Sequence, residues 1–477
     1  MSTIDWDVVD QMLEQIAFFV DTNDKYALFA EYMKHNNVHQ FHPVDSQDFE
    51  VTLRMWYRAL SAARSVPNVK DIIRYIKDEG IYYEDLVEVE PYCRVAGNLH
   101  DGIEYFLADK SRTVIRVSNG RWGVANDPAH KFLTTSSHLP QVMPQISDKN
   151  IFDLLRPCFN LDGDDLVLFV IWLIQGFSSG SHYGAMLSAE RGSGKSTLTR
   201  TTNLLLDPSK ADTTIMQTKL DDFQNFLGNH YLACFDNVRT IPTDYSDTMA
   251  AAITGGIVAK RKLYSDHDMV YLRLHNVVLL NGIDVFPAES DLAERFLYFR
   301  LKKIPSTKLK TDLDIQKYVL ENRAQILGCV FNALARATKE IHHAKPKKPT
   351  RMANAYEEML AIAKALDISE SEFHRIITEN TNALHQACAA TPLVEAVCEY
   401  MNGPARGQRK FSCSSTNFFN RVRVNYSGPR AALPGRAAEF SKQLKREHDG
   451  LFAAGFQSII DDTGSAESTI TIIREKK

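Results

Sequence analysis

Residues 184–197 read Gly184-Ala-Met-Leu-Ser-Ala-Glu-Arg-Gly-Ser-Gly-Lys-Ser-Thr197, an apolar run that breaks into a glycine-containing loop and ends in Lys195, Ser196 and Thr197. Residues 183–188 are expected to form a buried strand, and a helix is expected to begin near Lys195 and continue through Leu198 to Leu206. Strand, glycine loop and helix in that order make a phosphate-binding loop. The backbone N–H groups of residues 192–196 can curl around a polyphosphate at the positive end of the helix. Gly192, Ser193, Gly194, Lys195, Ser196 and Thr197 are therefore the expected ATP contacts, with Lys195 against the β and γ phosphates and the Ser196 hydroxyl on Mg²⁺. The first position of the loop pattern is Ala189 rather than glycine, and a small side chain suffices at that turn.

The chain has 477 residues, 44 % apolar and 24 % charged, which is ordinary for a soluble globular protein and too long for a single core. The net charge is −4, yet residues 391–477 carry +4 and the remainder −8, so any charge that grips nucleic acid is local. Seven cysteines (Cys93, Cys158, Cys234, Cys329, Cys388, Cys398, Cys413) lie without C-x-x-C pairs or histidines at ligand spacing, the pattern of free thiols in a reducing compartment. The first residues are acidic and amphipathic, unlike a signal peptide. No apolar run reaches the ~18 residues of a membrane span. The expectation is a cytoplasmic protein with no membrane partner.

Downstream of the loop, Tyr231-Leu-Ala-Cys-Phe-Asp-Asn237 reads as a buried strand that delivers Asp236 to the carboxyl edge of a parallel sheet, where its carboxylate can hold the Mg²⁺ shell. Asn237 follows it; an amide can orient water but cannot deprotonate it. Asp221 and Asp222 are the alternative acids. A third strand, Asn276-Val-Val-Leu-Leu-Asn281, places the Asn281 amide at a neighbouring strand tip, suited to the lytic water or the γ-phosphate. Between these strands, residues 254–272 read as a hairpin carrying Lys260, Arg261, Lys262 and His267, either a grip on a phosphate backbone or an ordinary solvated surface hairpin. Arg295 precedes a further strand and could reach the γ-phosphate of a neighbouring subunit.

The ordered set ERGSGKST, ACFDN, TGG with a basic hairpin, VVLLNGID and DLAERFLYFRL resembles the AAA+-related helicase domain of superfamily-3-like replication proteins of phages, plasmids and integrated mobile elements. The resemblance covers residues 150–310. It implies a hexameric ring that hydrolyses ATP between subunits with single-stranded DNA in a central channel. It also implies that Lys195, Ser196, Asp236 and Asn281 act on ATP, that Arg295 acts in trans, and that the hairpin residues line the channel. It implies, too, a bacterial or archaeal host cell; residues 1–150 show no paired-carboxylate primase motif, so any priming is expected from a separate primase or polymerase.

The remaining stretches are less specific. Helical periodicity is expected over residues 6–19 and 50–65, and short alternating runs over residues 92–122 indicate a small antiparallel sheet whose Tyr105, Phe106 and Trp122 read as core. Residues 311–385 read as a helical lid or small bundle broken at Lys345-Pro-Lys-Lys-Pro349, with Arg351 read as a solvated arginine and, in the alternative, as a second nucleotide sensor. From residue 391, three helices followed by a two-stranded hairpin give the winged helix-turn-helix pattern. Its third helix, 436–447, offers Arg436, Lys442, Lys445 and Arg446 to duplex or origin DNA, a protein contact being the alternative. The fold expected is thus α/β: an AAA+-type P-loop core (149–310), an α+β amino-terminal domain (1–148), a helical lid (311–388) and a carboxy-terminal winged helix (389–477). Three functions fit: an ATP-dependent helicase, an ATPase that remodels or loads DNA complexes without unwinding, and a nucleotide-gated DNA-binding regulator.

Overall fold

A computed structural model describes residues 4–22, 27–34, 38–61, 66–80, 86–135, 137–189, 192–238, 241–261, 269–282, 290–305, 307, 310–346, 350–389, 391–428, 430–461 and 468–475. Its centre is a four-stranded, wholly parallel sheet. The loop strand Gly184–Ala189 lies between the amide strand Val277–Gly282 and the arginine strand Phe296–Leu301, and the acid strand Leu232–Val238 lies outside the amide strand. All six residues of both the loop and amide strands are buried, as near-continuous apolar runs in a parallel sheet require. Because the strands are parallel, their carboxyl ends share one edge, where Ala189, Gly282 and Val238 come together.

The arginine strand is at the other side of the sheet, and its backbone is paired by a side chain. Asn380, on the helix Glu370–Ala389, accepts from the Tyr298 N–H at 2.9 Å and donates to the Tyr298 carbonyl at 2.6 Å. One amide thereby stands in for a neighbouring strand. The helix after the loop, Lys195–Leu206, buries Leu198, Leu205 and Leu206. The hydroxyls of Thr199 and Thr202 bond back to the carbonyls four residues earlier, which lets a threonine-rich helix bury that face.

Four antiparallel strands, Val95–Asn98, Gly102–Phe106, Val114–Ser118 and Arg121–Ala125, form the expected meander, and it shares a hydrophobic core with the central sheet and the long helix Asp312–Glu340. Tyr105 and Phe106 are fully buried, and Trp122 donates to Asn332 at 2.8 Å. The meander is joined to the loop helix by an ion pair with no solvent exposure. Arg94 donates from Nε to Asp207 at 2.8 Å, and its remaining nitrogens reach the carbonyls of Phe106, Leu139 and Pro208. Asp207 ends the loop helix, and its other oxygen accepts the N–H groups of Tyr231 and Leu232 at the start of the acid strand. Burial by itself raises the Asp207 pKa, but Arg94, His138 and the Leu232 N–H outweigh it and the net direction is down.

The amino-terminal residues depart from the expectation. Helix covers only Trp6–Leu13; the run Ile16-Ala-Phe-Phe-Val that follows is a strand, paired antiparallel with Leu28–Lys34. Consecutive aromatic and β-branched residues favour strand once a partner is present. The resulting sheet and the helices Gln47–Ser61 and Val69–Gly80 enclose a separate core of Tyr32, Phe49, Leu53, Trp56 and Ile72.

At the other end, Pro392–Asn402, Ser415–Asn425 and Ala437–Arg446 are helices, and Phe456–Asp461 pairs antiparallel with Thr469–Arg474. Two elements were not expected: the short helix His448–Ala453, and the strand Lys410–Ser414, which pairs with the outer side of Thr469–Arg474. No helix among the described residues is long and apolar enough to cross a membrane.

Replacing Arg94 with leucine leaves Asp207 buried and uncompensated, a change that costs about 3–5 kcal/mol. Denaturant unfolding of Arg94→Leu is expected to show a loss of that order, and a loss within experimental error would mean that the pair does not hold the meander to the loop helix.

Candidate functional site

The chemistry expected of the loop depends on where the carboxyl edge of the sheet puts four side chains. Gly192 and Gly194 adopt φ of 79° and 80°, and Gly194 is the amino-terminal cap of the loop helix with no side chain covering the helix N–H groups. Only glycine adopts this left-handed backbone without strain. Glu190 and Arg191 lie outside the described residues. Lys195 donates to the carbonyls of Ala189 and, at 2.8 Å, Gly282, so its ammonium sits between the ends of the loop and amide strands. Ser196 donates to Asp236 at 3.3 Å across from the acid strand.

Asp236 is half-buried, and its other oxygen accepts the Asn237 N–H at 2.7 Å. Asn237 is exposed at φ 56°, where the pairing of the acid strand with the amide strand shifts register. Asparagine tolerates that conformation better than most residues. Asn281 is 1 % exposed; its amide nitrogen reaches Thr199 Oγ1 at 3.4 Å, and Thr199 is itself bonded to the Lys195 carbonyl. Lys195, Ser196, Asp236 and Asn281 are thus brought to one edge, as expected.

These residues fit a magnesium-bound triphosphate. Among the described residues no side chain caps the helix end, the hydroxyl and carboxylate pair Ser196 and Asp236 is a hard-oxygen donor set, and two buried polar atoms beside the loop, Ser193 Oγ and Asn281 Oδ1, have no hydrogen-bond partner.

Contributors that the sequence did not announce come from far along the chain. Asn160 donates to the carbonyls of Ser193 and Lys302, at 2.9 and 2.6 Å, and pins the loop to the segment after the arginine strand. Thr197 turns from the loop to donate to Asp312, at 2.5 Å, in the first turn of the long helix. That contact ties the loop helix to the lid, so Thr197 differs from the expected ATP ligand in its present partner. No local pattern marks either Asn160 or Asp312.

Several expectations are corrected. Asp221 and Asp222 are in the helix Leu220–Gly228, where Asp221 pairs with Lys260 and not with the loop. Lys260 points inward on the hairpin arm Gly256–Arg261: it bonds the Asp221 carbonyl at 2.9 Å and Asn225 at 3.1 Å, and burial lowers its pKa against the opposing pull of Asp221 and Asp222. Lys260 therefore anchors the hairpin to a helix and does not face a phosphate backbone. Arg261, one residue on, is exposed; Lys262 and His267 lie outside the described residues.

Arg295 stands at the amino edge of the sheet, next to Gly184, and the loop is at the carboxyl edge of the same strand. Six residues of strand separate the two, about 20 Å. Its guanidinium contacts Ala250, Thr254 and Asp291. Arg351 is at this same amino edge, paired with Asp291 and Glu294 and away from the loop. In the carboxy-terminal unit, Lys442, Lys445 and Arg446 lie exposed on the helix Ala437–Arg446 opposite the buried Phe440 and Leu444, and Arg436 is its exposed cap rather than a member.

Residues 151–371 match the model of the replication protein family of actinomycete integrative conjugative elements, and over those residues the chain is similar to such replication proteins. That stretch contains every residue of the loop edge and Arg295. No curated protein matches the chain. Among solved structures, the A-form apo structure of the NrS-1 C-terminal region is 11 % identical over 98 % of this chain and 99 % of that chain, with a TM-score of 0.40. A second apo structure of that region, residues 305–718, is 13 % identical with a TM-score of 0.39, covering 98 % of each chain. JCV helicase with a bound acetamide compound is 16 % identical over 49 % of this chain and 65 % of that chain, with a TM-score of 0.25.

Lys260→Ala is expected to lower the melting temperature and leave the salt dependence of DNA binding unchanged, whereas Arg261→Ala is expected to reduce the slope of log affinity against log salt by about 1. The reverse pattern in a salt titration would return Lys260 to the DNA surface.

Proposed function

We propose that this protein is an ATP-dependent DNA helicase, a ring-forming replication initiator or motor of a mobile genetic element that unwinds DNA at an origin. The observation that carries the proposal is the division of the central sheet: four side chains suited to a nucleotide meet at its carboxyl edge, and Arg295 waits about 20 Å away at the other. An arginine so placed lies far from the loop of its own chain and is available to a neighbour's in a closed heterologous ring, by expectation a hexamer, which supports the trans reading. The match to replication proteins over residues 151–371 supports the same reading.

In this scheme the helix N–H groups and Lys195 hold the phosphates of ATP. Bound Mg²⁺, held by Ser196 and Asp236, supplies neutralisation of phosphate charge. Asn281 orients the attacking water or the γ-phosphate. Arg295 of the adjacent subunit offsets charge that develops in phosphoryl transfer. The hairpin, through Arg261 and the residues of its tip, contacts single-stranded DNA in the channel. The helices and three-stranded sheet of the carboxy-terminal unit support reading it as a winged helix, and its outward Lys442, Lys445 and Arg446, with Arg436, are assigned to duplex DNA.

One observation favours a second reading. Asn237 occupies the position after the strand acid, and an exposed amide there supplies no base, which suits slow hydrolysis and hence a loader or a nucleotide-gated regulator that does not unwind.

Strand separation on a forked DNA with ATP discriminates the readings. The wild type is expected to unwind and Lys195→Ala to lose both hydrolysis and unwinding; hydrolysis without unwinding, in a preparation of confirmed ring mass, would favour the second reading. Subunit mixing tests the arginine. Lys195→Ala and Arg295→Ala are each expected to be inactive, and an equal mixture to regain about a quarter of the wild-type rate, because random neighbours rebuild that share of complete interfaces. No recovery on mixing would remove Arg295 from the neighbouring site.

A further inference from the structure

Arg295 is held by the root of the DNA hairpin. The helix Thr243–Thr254 ends there, and Gly255, at φ 81°, turns the chain directly into the arm Gly256–Arg261. Arg295 Nη1 donates to the Ala250 carbonyl at 3.5 Å and to Thr254 Oγ1 at 3.3 Å, and Thr254 Oγ1 donates to the same carbonyl at 2.9 Å. The guanidinium, the hydroxyl and the carbonyl close a triangle. Neighbouring carbonyls are taken by other elements, Ala252 by the Asn276 N–H and Ile253 by the His182 N–H. The guanidinium is therefore the cation of this helix's last turn, where the helix dipole favours positive charge.

These contacts are built to be exchanged. All three of them, including the 3.3 Å contact to Asp291, are longer than charge-assisted hydrogen bonds usually are, and the Arg295 Nε is buried without a partner among the described residues. Asp291 does not depend on Arg295, because Arg351 pairs with it as well. A phosphate from an adjacent subunit would offer the guanidinium shorter bonds and leave no bare carboxylate behind.

We propose that Arg295 is a two-position residue and that Thr254 is the positioning residue that couples it to the hairpin. The guanidinium either clamps the hairpin root of its own subunit or contacts the neighbour's nucleotide, and not both. Single-stranded DNA that displaces the hairpin draws Thr254 away and releases the arginine to the next site, so DNA engagement in one subunit promotes hydrolysis at the interface beside it. The inference rests on the trans role of Arg295 proposed above.

Thr254→Val keeps the side-chain volume and removes the hydroxyl; Thr254→Ser keeps the hydroxyl. ATP hydrolysis by the full chain is measured with and without a saturating single-stranded oligonucleotide, beside the melting temperature. In Thr254→Val, hydrolysis without DNA is expected to rise and the ratio of stimulated to basal rate to fall about fivefold, the worth of one ordinary hydrogen bond of ~1 kcal/mol. Thr254→Ser is expected to keep the wild-type ratio. An unchanged ratio in Thr254→Val, with Arg295→Ala inactive, overturns the coupling alone. Full hydrolysis in Arg295→Ala overturns the trans role and the coupling with it. Should Thr254→Val fail to fold, Asp291→Asn loosens the same guanidinium from its other side and is expected to raise basal hydrolysis; an unchanged basal rate there also overturns the coupling.

Discussion

The buried pair of Arg94 and Asp207 sets the frame in which the candidate site sits. Two charges removed from water are tolerated when their hydrogen-bonding groups find partners. Here Asp207 receives Arg94 on one oxygen and two backbone N–H groups on the other, and the other two guanidinium nitrogens donate to three carbonyls. The N–H groups belong to the first residues of the acid strand, and Asp207 ends the loop helix. The pair thus fixes the far ends of the two elements whose near ends carry Asp236 and Ser196. The Ser196 to Asp236 distance of 3.3 Å is defined from both ends.

The loop edge was legible in the sequence because its chemistry is local. Glycines at 192 and 194, a lysine, and a hydroxyl in consecutive positions dictate a left-handed turn into a helix with free N–H groups, and no distant residue is needed to read that. The apolar strands that deliver Asp236 and Asn281 were equally plain. Lys260 was not, because it is one of several cations in a row and only the packing of the arm on the helix Leu220–Gly228 decides which of them turns inward. Alternation does so after the fact: Lys260 falls on the side of Val258 and Leu272, and Arg261 on the other. Asn160 and Asp312 were illegible for a different reason, since each acts through a contact more than a hundred residues away. The strand Lys410–Ser414 was missed because its alternation is short and mostly polar, and the strand Ile16–Asp21 because its apolar run continues the helical pattern before it.

For Arg351 sequence order left two readings open, a solvated arginine and a second sensor. It follows the arginine strand in the helical region, where a lid residue could lean over the nucleotide, yet it comes back to the amino edge and faces Asp291 and Glu294. The sheet has two working edges with different tenants: glycines, hydroxyls and a lysine at one, arginines countered by carboxylates at the other. A single chain presents both edges, about one strand length apart.

The Asn380 amide that pairs with Tyr298 has a consequence for how the chain is made. The sheet has its last strand once Leu301 is synthesised, but the side chain that closes its edge belongs to a helix beginning at Glu370. While the intervening segment emerges from a ribosome, the arginine strand carries an open row of backbone groups, able to recruit a strand from another nascent chain. Folding is therefore safest when the helical region docks promptly, and a chain truncated before residue 380 leaves that row uncapped and prone to self-association.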